Sequence, residues 1–209
     1  MILIGQYDSP FVRRCGIAMT LYGMVFAHRP WSTFGEGDKI KPYNPLRRVP
    51  TLVLDDGGVV IDSAYILDWA DEQVGERALI ARSGEARRKA LYTIALTTGF
   101  SDKCVALFYE KVLHTQTSDI LLPRLQMQVA DVLDRLEEIR AGATSPWLFG
   151  DYLNHADIAL GCSIRHAREA HGAAIDWTSR PALLAHSEAC EALPVFEAIS
   201  QPFIGPNGD

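Results

Sequence analysis

Near Gly84 the chain changes character, and that change restricts the folds open to it more than any other feature. Before it, short apolar runs alternate with helical periodicity. After it no convincing strand pattern remains, and apolar residues recur at spacings of three and four. The pattern predicts an α/β unit followed by an all-α unit. Residues 1–76 are assigned to the first, 77–84 to a linker and 85–209 to the second.

Met1-Ile-Leu-Ile4, closed by Gly5, reads as a buried strand. Asp8-Ser9-Pro10 has the form of a helix start, with Ser9 able to cap and Pro10 at a position where its missing N–H costs nothing. That helix would bury Phe11, Cys15, Ala18, Met19 and Tyr22 and stop at Gly23, before a second strand over Val25–Arg29. Gly35, Gly37, Pro42 and Pro45 break any long helix between Ser32 and Asn44. Thr51–Leu54 and Val59–Ile61 flank Asp55-Asp-Gly-Gly58 as a hairpin. Asp62-Ser63 then opens a helix with Ala64, Leu67 and Ala70 inward, ended by Gly75. In the second half, helices are expected over Glu85–Leu113 (with a kink at Gly99), Ile120–Ala141, Asn154–Ala170 and Pro181–Ile199.

Composition removes several function classes. With 209 residues, 48% hydrophobic and 22% charged, the chain can bury a core and is not disordered. Its formal net charge is −6 and it has no basic stripe, so nucleic acid is not an expected partner. No run approaches the roughly eighteen apolar residues of a membrane span, and MILIGQYDSP has no charged, apolar leader pattern. A cytoplasmic location is expected. Cys15, Cys104, Cys162 and Cys190 are far apart and form no CxxC pair, so reduced, buried thiols are expected. Cys162 and His166 share a helical face, but no third and fourth ligand is in view and no metal is expected.

Three features of the first unit carry chemistry. Ser9 sits beside unpaired backbone N–H groups at the positive end of a helix, a setting that favours an anion such as a thiolate; the plain alternative is a helix cap. Tyr7 is a second donor or an edge-of-core ring. Val49-Pro50-Thr51 opens a strand with a proline, and a cis bond there would present the backbone of Val49 to an extended peptide. Asp62-Ser63 at another helix start would hold a carboxylate and an ammonium, or simply cap.

In that order and spacing the segments resemble the glutathione S-transferase family. Ser9-Pro-Phe-Val-Arg-Arg14 is similar to the active-site segment of its serine-type and cysteine-type classes. Asn44-Pro45 followed by Val49-Pro50-Thr51-Leu52 resembles the cis-proline segment, and Asp62-Ser63 with Ile66-Leu67 the acid–serine pair. Gly150-Asp-Tyr-Leu-Asn-His-Ala-Asp157 resembles the buried capping motif, with Asn154 as cap where the family more usually has Ser or Thr.

The resemblance implies a thioredoxin-like domain followed by a helical domain, and a homodimer. It implies no permanently bound cofactor and glutathione as co-substrate. Ser9 would hold the glutathione sulfur as thiolate, Val49 beside Pro50 would pair with the cysteinyl backbone, and Asp62 and Ser63 would hold the γ-glutamyl end. Phe11 is placed in the same site. The glycyl carboxylate would take one of Lys39, Lys41, Arg47 and Arg48, with Arg48 slightly favoured. A small hydrophobic electrophile would meet aromatics among Phe11, Phe34, Tyr92, Phe108 and Tyr109, which at helical spacing also read as core. Serine at position 9 cannot form a mixed disulfide, which leaves conjugation or peroxide reduction. The rival reading is a transferase-fold module that binds or assembles without turnover.

Overall fold

Leu3 and Ile4 are fully buried in β1 (Ile2–Ile4), the strand on which the first unit is built. In the computed structural model of the protein, which describes residues 1–206, it is followed by α1 (Pro10–Leu21) and β2 (Ala27–Arg29). Then come α2 (Gly37–Ile40), the hairpin β3 (Thr51–Val53) and β4 (Val59–Ile61), and α3 (Ser63–Val74). The sheet runs β2-β1-β3-β4, with β1 parallel to β2 and antiparallel to β3. A parallel neighbour needs a crossover, which α1 supplies. This is the thioredoxin-like arrangement the resemblance implied.

Two helical details differ from expectation. Ala64 is exposed, and the buried face of α3 is Ser63, Ile66, Leu67 and Ala70. Asp62 is the cap, as expected, and Leu67 and Ala70 face inward, so Ala64 alone departs from the expected face. In α1, burial covers every residue from Val12 to Met19, while Phe11 is only partly covered.

The second unit holds α4 (Gly84–Val112), α5 (Leu121–Ala141), α6 (His155–His171) and α7 (Pro181–Glu191). Helix α4 is assigned without interruption across Gly99. Its core includes Phe100, Leu107, Leu133, Leu160, Ile164 and Leu183. Asn154 and Asp157 form the expected capping box: the Asn154 side chain accepts from the Ala156 amide at 2.9 Å and Asp157 Oδ2 from the Asn154 amide at 3.0 Å. Glu137 on α5 accepts from two successive amides at the start of α7, Ala182 at 2.9 Å and Leu183 at 2.8 Å.

The expected last helix, 181–199, is two helices. Leu193 is extended ahead of Pro194, and α8 (Pro194–Ala198) follows. Residues 192–206 belong with the first unit, Met1–Arg82, and not with the helical unit, which ends at Glu191 where the expectation is 85–209. Arg13, buried in α1, explains the return: its Nε donates to Ile199 O and its Nη2 to Phe196 O, each at 2.8 Å. Among the described residues no helix is long and apolar enough to cross a membrane.

Candidate functional site

The register of the sheet brings the three singled-out segments to one end of the first unit. Ile4 pairs with Arg29 on one side and Thr51 on the other, and Thr51 pairs with Ile61. One step beyond this row lie Gly5, which leads to Ser9; Pro50, preceded by Val49; and Asp62, which leads to Ser63. Gly5 has φ 128°, and a Cβ there would sit 2.5 Å from Val12 Cγ2 and 2.7 Å from Val49 Cβ. Only glycine lets the chain turn here with Val49 against it.

Ser9 is the N-cap residue of α1, a helix of 12 residues with Pro10 in its first turn. Its backbone carbonyl accepts from the Arg13 amide at 2.9 Å, but its hydroxyl makes no capping bond. The hydroxyl therefore stands at the positive end of α1 without being spent on the helix. Tyr7 is stacked on His28, ring centroids 3.8 Å apart, and burial pushes its phenol up to about 12. Burial also lowers the His28 pKa, and its Nε2 lies 2.7 Å from Gly5 O. A carbonyl only accepts, so Nε2 carries the proton and ties the turn to β2.

The Val49–Pro50 peptide bond is cis. Its approach is pinned by Asn44, whose Nδ2 donates to Arg48 O at 3.0 Å and Thr51 Oγ1 at 3.1 Å. At the third segment the Asp62 carboxylate accepts from the Ala64 amide at 2.8 Å and caps α3. Ser63 is 3% exposed, and its Oγ accepts from Arg14 Nη2 at 2.8 Å. A guanidinium can only donate, so the Ser63 hydroxyl proton remains to be given to an anion, with a buried positive charge behind it.

Residues 3–78 match the N-terminal domain family of glutathione S-transferases, and residues 119–189 match the C-terminal domain family. The chain belongs to the glutathione S-transferase family. The uncharacterized GST-like protein YibF of Escherichia coli K12 is 28% identical over 165 residues, 78% of this chain and 80% of that protein. A probable glutathione S-transferase of rice, GSTU1, is 28% identical over 103 residues, 49% of this chain and 45% of that protein. Among solved structures, a glutathione S-transferase of Methylobacterium radiotolerans in complex with glutathione sulfonate has TM-score 0.88 at 24% identity, covering 98% of this chain and 97% of that one. A glutathione transferase family member from Pseudomonas fluorescens Pf-5 with bound S-(propanoic acid)-glutathione has TM-score 0.79 at 25% identity, covering 96% and 99%.

Within this transferase-family fold the remaining expected residues fall in both units. Arg48 is exposed on the loop pinned by Asn44. Arg47 pairs with Asp38 at 2.8 Å and Lys39 approaches Glu36 at 3.9 Å, while Lys41 is exposed. Phe34 is 50% exposed in the first unit. Phe108 and Tyr109 are half-buried neighbours on α4 of the second unit, and Tyr92 is exposed on the same helix. All four cysteines are buried and none is in a disulfide. Among the described residues no group of three or more His, Cys, Asp or Glu could hold a metal. Two participants escaped sequence reasoning as individual residues: Arg14 and the segment after Ile199. A charged residue on the buried side of an amphipathic helix is the signal that could have exposed Arg14.

Proposed function

We propose that the protein is a glutathione transferase in which Ser9 holds the glutathione sulfur as a thiolate. The observation that carries the reading is the Ser9 hydroxyl at the N-terminus of α1, unspent on the helix it opens. A free thiol has a pKa of about 8.5, so only a few per cent is ionised at neutral pH. Lowering it by about two units needs about 2.7 kcal/mol of differential stabilisation. One hydroxyl donor and the end of a helix dipole supply energies of that order.

Val49 would pair its backbone with the cysteinyl unit, and Ser63, backed by Arg14, would receive the γ-glutamyl carboxylate. Asp62 would face the γ-glutamyl ammonium and Arg48 the glycyl carboxylate. Phe11 would flank the tripeptide. Phe34, Phe108 and Tyr109 are proposed for a small apolar electrophile. In conjugation the sulfur lone pair forms an S–C bond and the leaving group departs with the bonding pair, the thiol proton having gone to solvent. Peroxide reduction would use the same thiolate. The ligands of the Methylobacterium and Pseudomonas structures support this choice of thiol. The reading carries a homodimer and a cytoplasmic location with it.

Calorimetric titration with reduced glutathione tests the reading. Saturable binding is expected, weakened about tenfold or more by Ser63→Ala, which removes a charge-backed donor. Absence of binding at millimolar glutathione would instead favour a module without turnover.

A further inference from the structure

Residues 192–204 return to the first unit along the start of α1, and bonds from this segment fall on residues that flank Ser9. Arg13 holds the carbonyls of Phe196 and Ile199, with its guanidinium 5.2 Å from the Phe196 ring centre. Gly16 lets this segment approach: a Cβ there would lie 2.9 Å from the Tyr7 ring and 3.0 Å from Ile199 Cγ2. Further on, Gln201 Oε1 accepts from the Tyr7 amide at 3.2 Å. Asp8 Oδ2 accepts from the Ile204 amide at 3.0 Å. Two residues of the Gly5–Ser9 turn are thus held by a segment nearly two hundred positions away in sequence.

We propose that residues 199–204 form a positioning strap, joined to the turn by the Gln201–Tyr7 and Ile204–Asp8 bonds, that sets the orientation of the Ser9 hydroxyl. The proposal rests on the assignment of Ser9 above and adds what holds that hydroxyl in place. On the other side, the turn is fixed to β2 through His28 and Gly5. Within the turn itself the Ser9 amide donates to Gln6 O at 3.2 Å. A turn attached on both sides takes its geometry from those attachments, and a donor displaced by about 1 Å loses much of its effect on a nearby charge.

The test compares Gln201→Leu, which removes the acceptor, with Gln201→Glu, which keeps one. Amide exchange over Tyr7–Ser9 is expected to accelerate about tenfold or more in the leucine variant only. The pKa of the bound glutathione thiol, read from ultraviolet thiolate absorbance, is expected to rise by about one unit in the same variant and to be rescued by glutamate. Should leucine at 201 prevent folding, Ile204→Pro removes the N–H that reaches Asp8, with Ile204→Ala as the control for the lost side chain, and the same shift is expected. An unchanged thiol pKa in a folded Gln201→Leu or Ile204→Pro protein, beside a wild type that ionises the thiol, overturns the strap alone. A wild type that binds glutathione without forming thiolate overturns the role of Ser9, and the strap with it.

Discussion

A serine at a helix start ordinarily gives its oxygen to the backbone, and replacing it costs about 1 kcal/mol. Ser9 makes no such bond, so its removal separates chemistry from stability in a way most capping serines would not allow. Ser9→Ala is expected to lower turnover by about 10² to 10³, the usual cost of one donor aimed at a reacting anion. Thermal melting should move by no more than about 2 °C. A large drop in melting temperature with turnover preserved would reassign Ser9 to the fold. The motif Ser9-Pro10 was legible in sequence, as were Val49-Pro50 and Asp62-Ser63, because each announces itself through backbone chemistry: a cap, a proline, a cap. Arg14 was not, since its role depends on Ser63, 49 positions on, and no local pattern records that distance.

At the scale of elements, the start of α7 is met by a neighbouring helix. Glu137 places both carboxylate oxygens on the amides of Ala182 and Leu183, and nearby Arg180 pairs with Asp134 of the same helix α5. Two free amides and a helix dipole are thereby met by one negative charge. Glu137→Ala should cost about 1–2 kcal/mol, read as a lower urea midpoint, and Glu137→Gln should restore part of it. Most elements could be read from the sequence because hydrophobic period and turn residues agree, as in the hairpin around Asp55–Gly58 and the capping box of α6. The last helix was misread because apolar spacing runs through Pro194 without a gap. The proline was the available signal, since it drives Leu193 to ψ 135° and ends the helical path there. What lay beyond local reading was the partner of α8, because Arg13 stands 183 positions from Phe196.

For the molecule as a whole, one buried group of residues makes a pH-dependent contribution to stability. His186 Nε2 lies 3.6 Å from Asp157 Oδ1 and 3.6 Å from Cys190 Sγ, and both ionisable side chains are inaccessible. Burial, with the charge of Arg140 second, lowers His186 from 6.5 to about 4. Burial raises Asp157 from 3.8 to about 6, against the amides of Leu148 and Asn154 that favour its ionised form. A lowered histidine contributes stability that is present above 6.5 and lost as pH falls toward 4. A raised aspartate contributes stability that is present below 3.8 and lost as pH rises through 6. Between about pH 4 and 6 the folded pair and the unfolded pair each carry one proton, on different residues, so the two slopes cancel. His186→Gln leaves the aspartate alone. From pH 7 to pH 5 its unfolding free energy should therefore rise by about 1–2 kcal/mol relative to wild type, measured by urea melts at both values. Parallel behaviour of the two proteins would mean the histidine is protonated in the fold.

The return of the chain at Ala192 also orders events during synthesis. A ribosome delivers Ser9 and its sheet first, then the helices from Ser83 to Glu191, and only then the segment that Arg13, Tyr7 and Asp8 are waiting for. The first unit is begun first and finished last. Until residues 192–204 clear the exit tunnel, a buried arginine has no carbonyls to meet, so a nascent chain can complete its helical unit before it can complete the unit that precedes it.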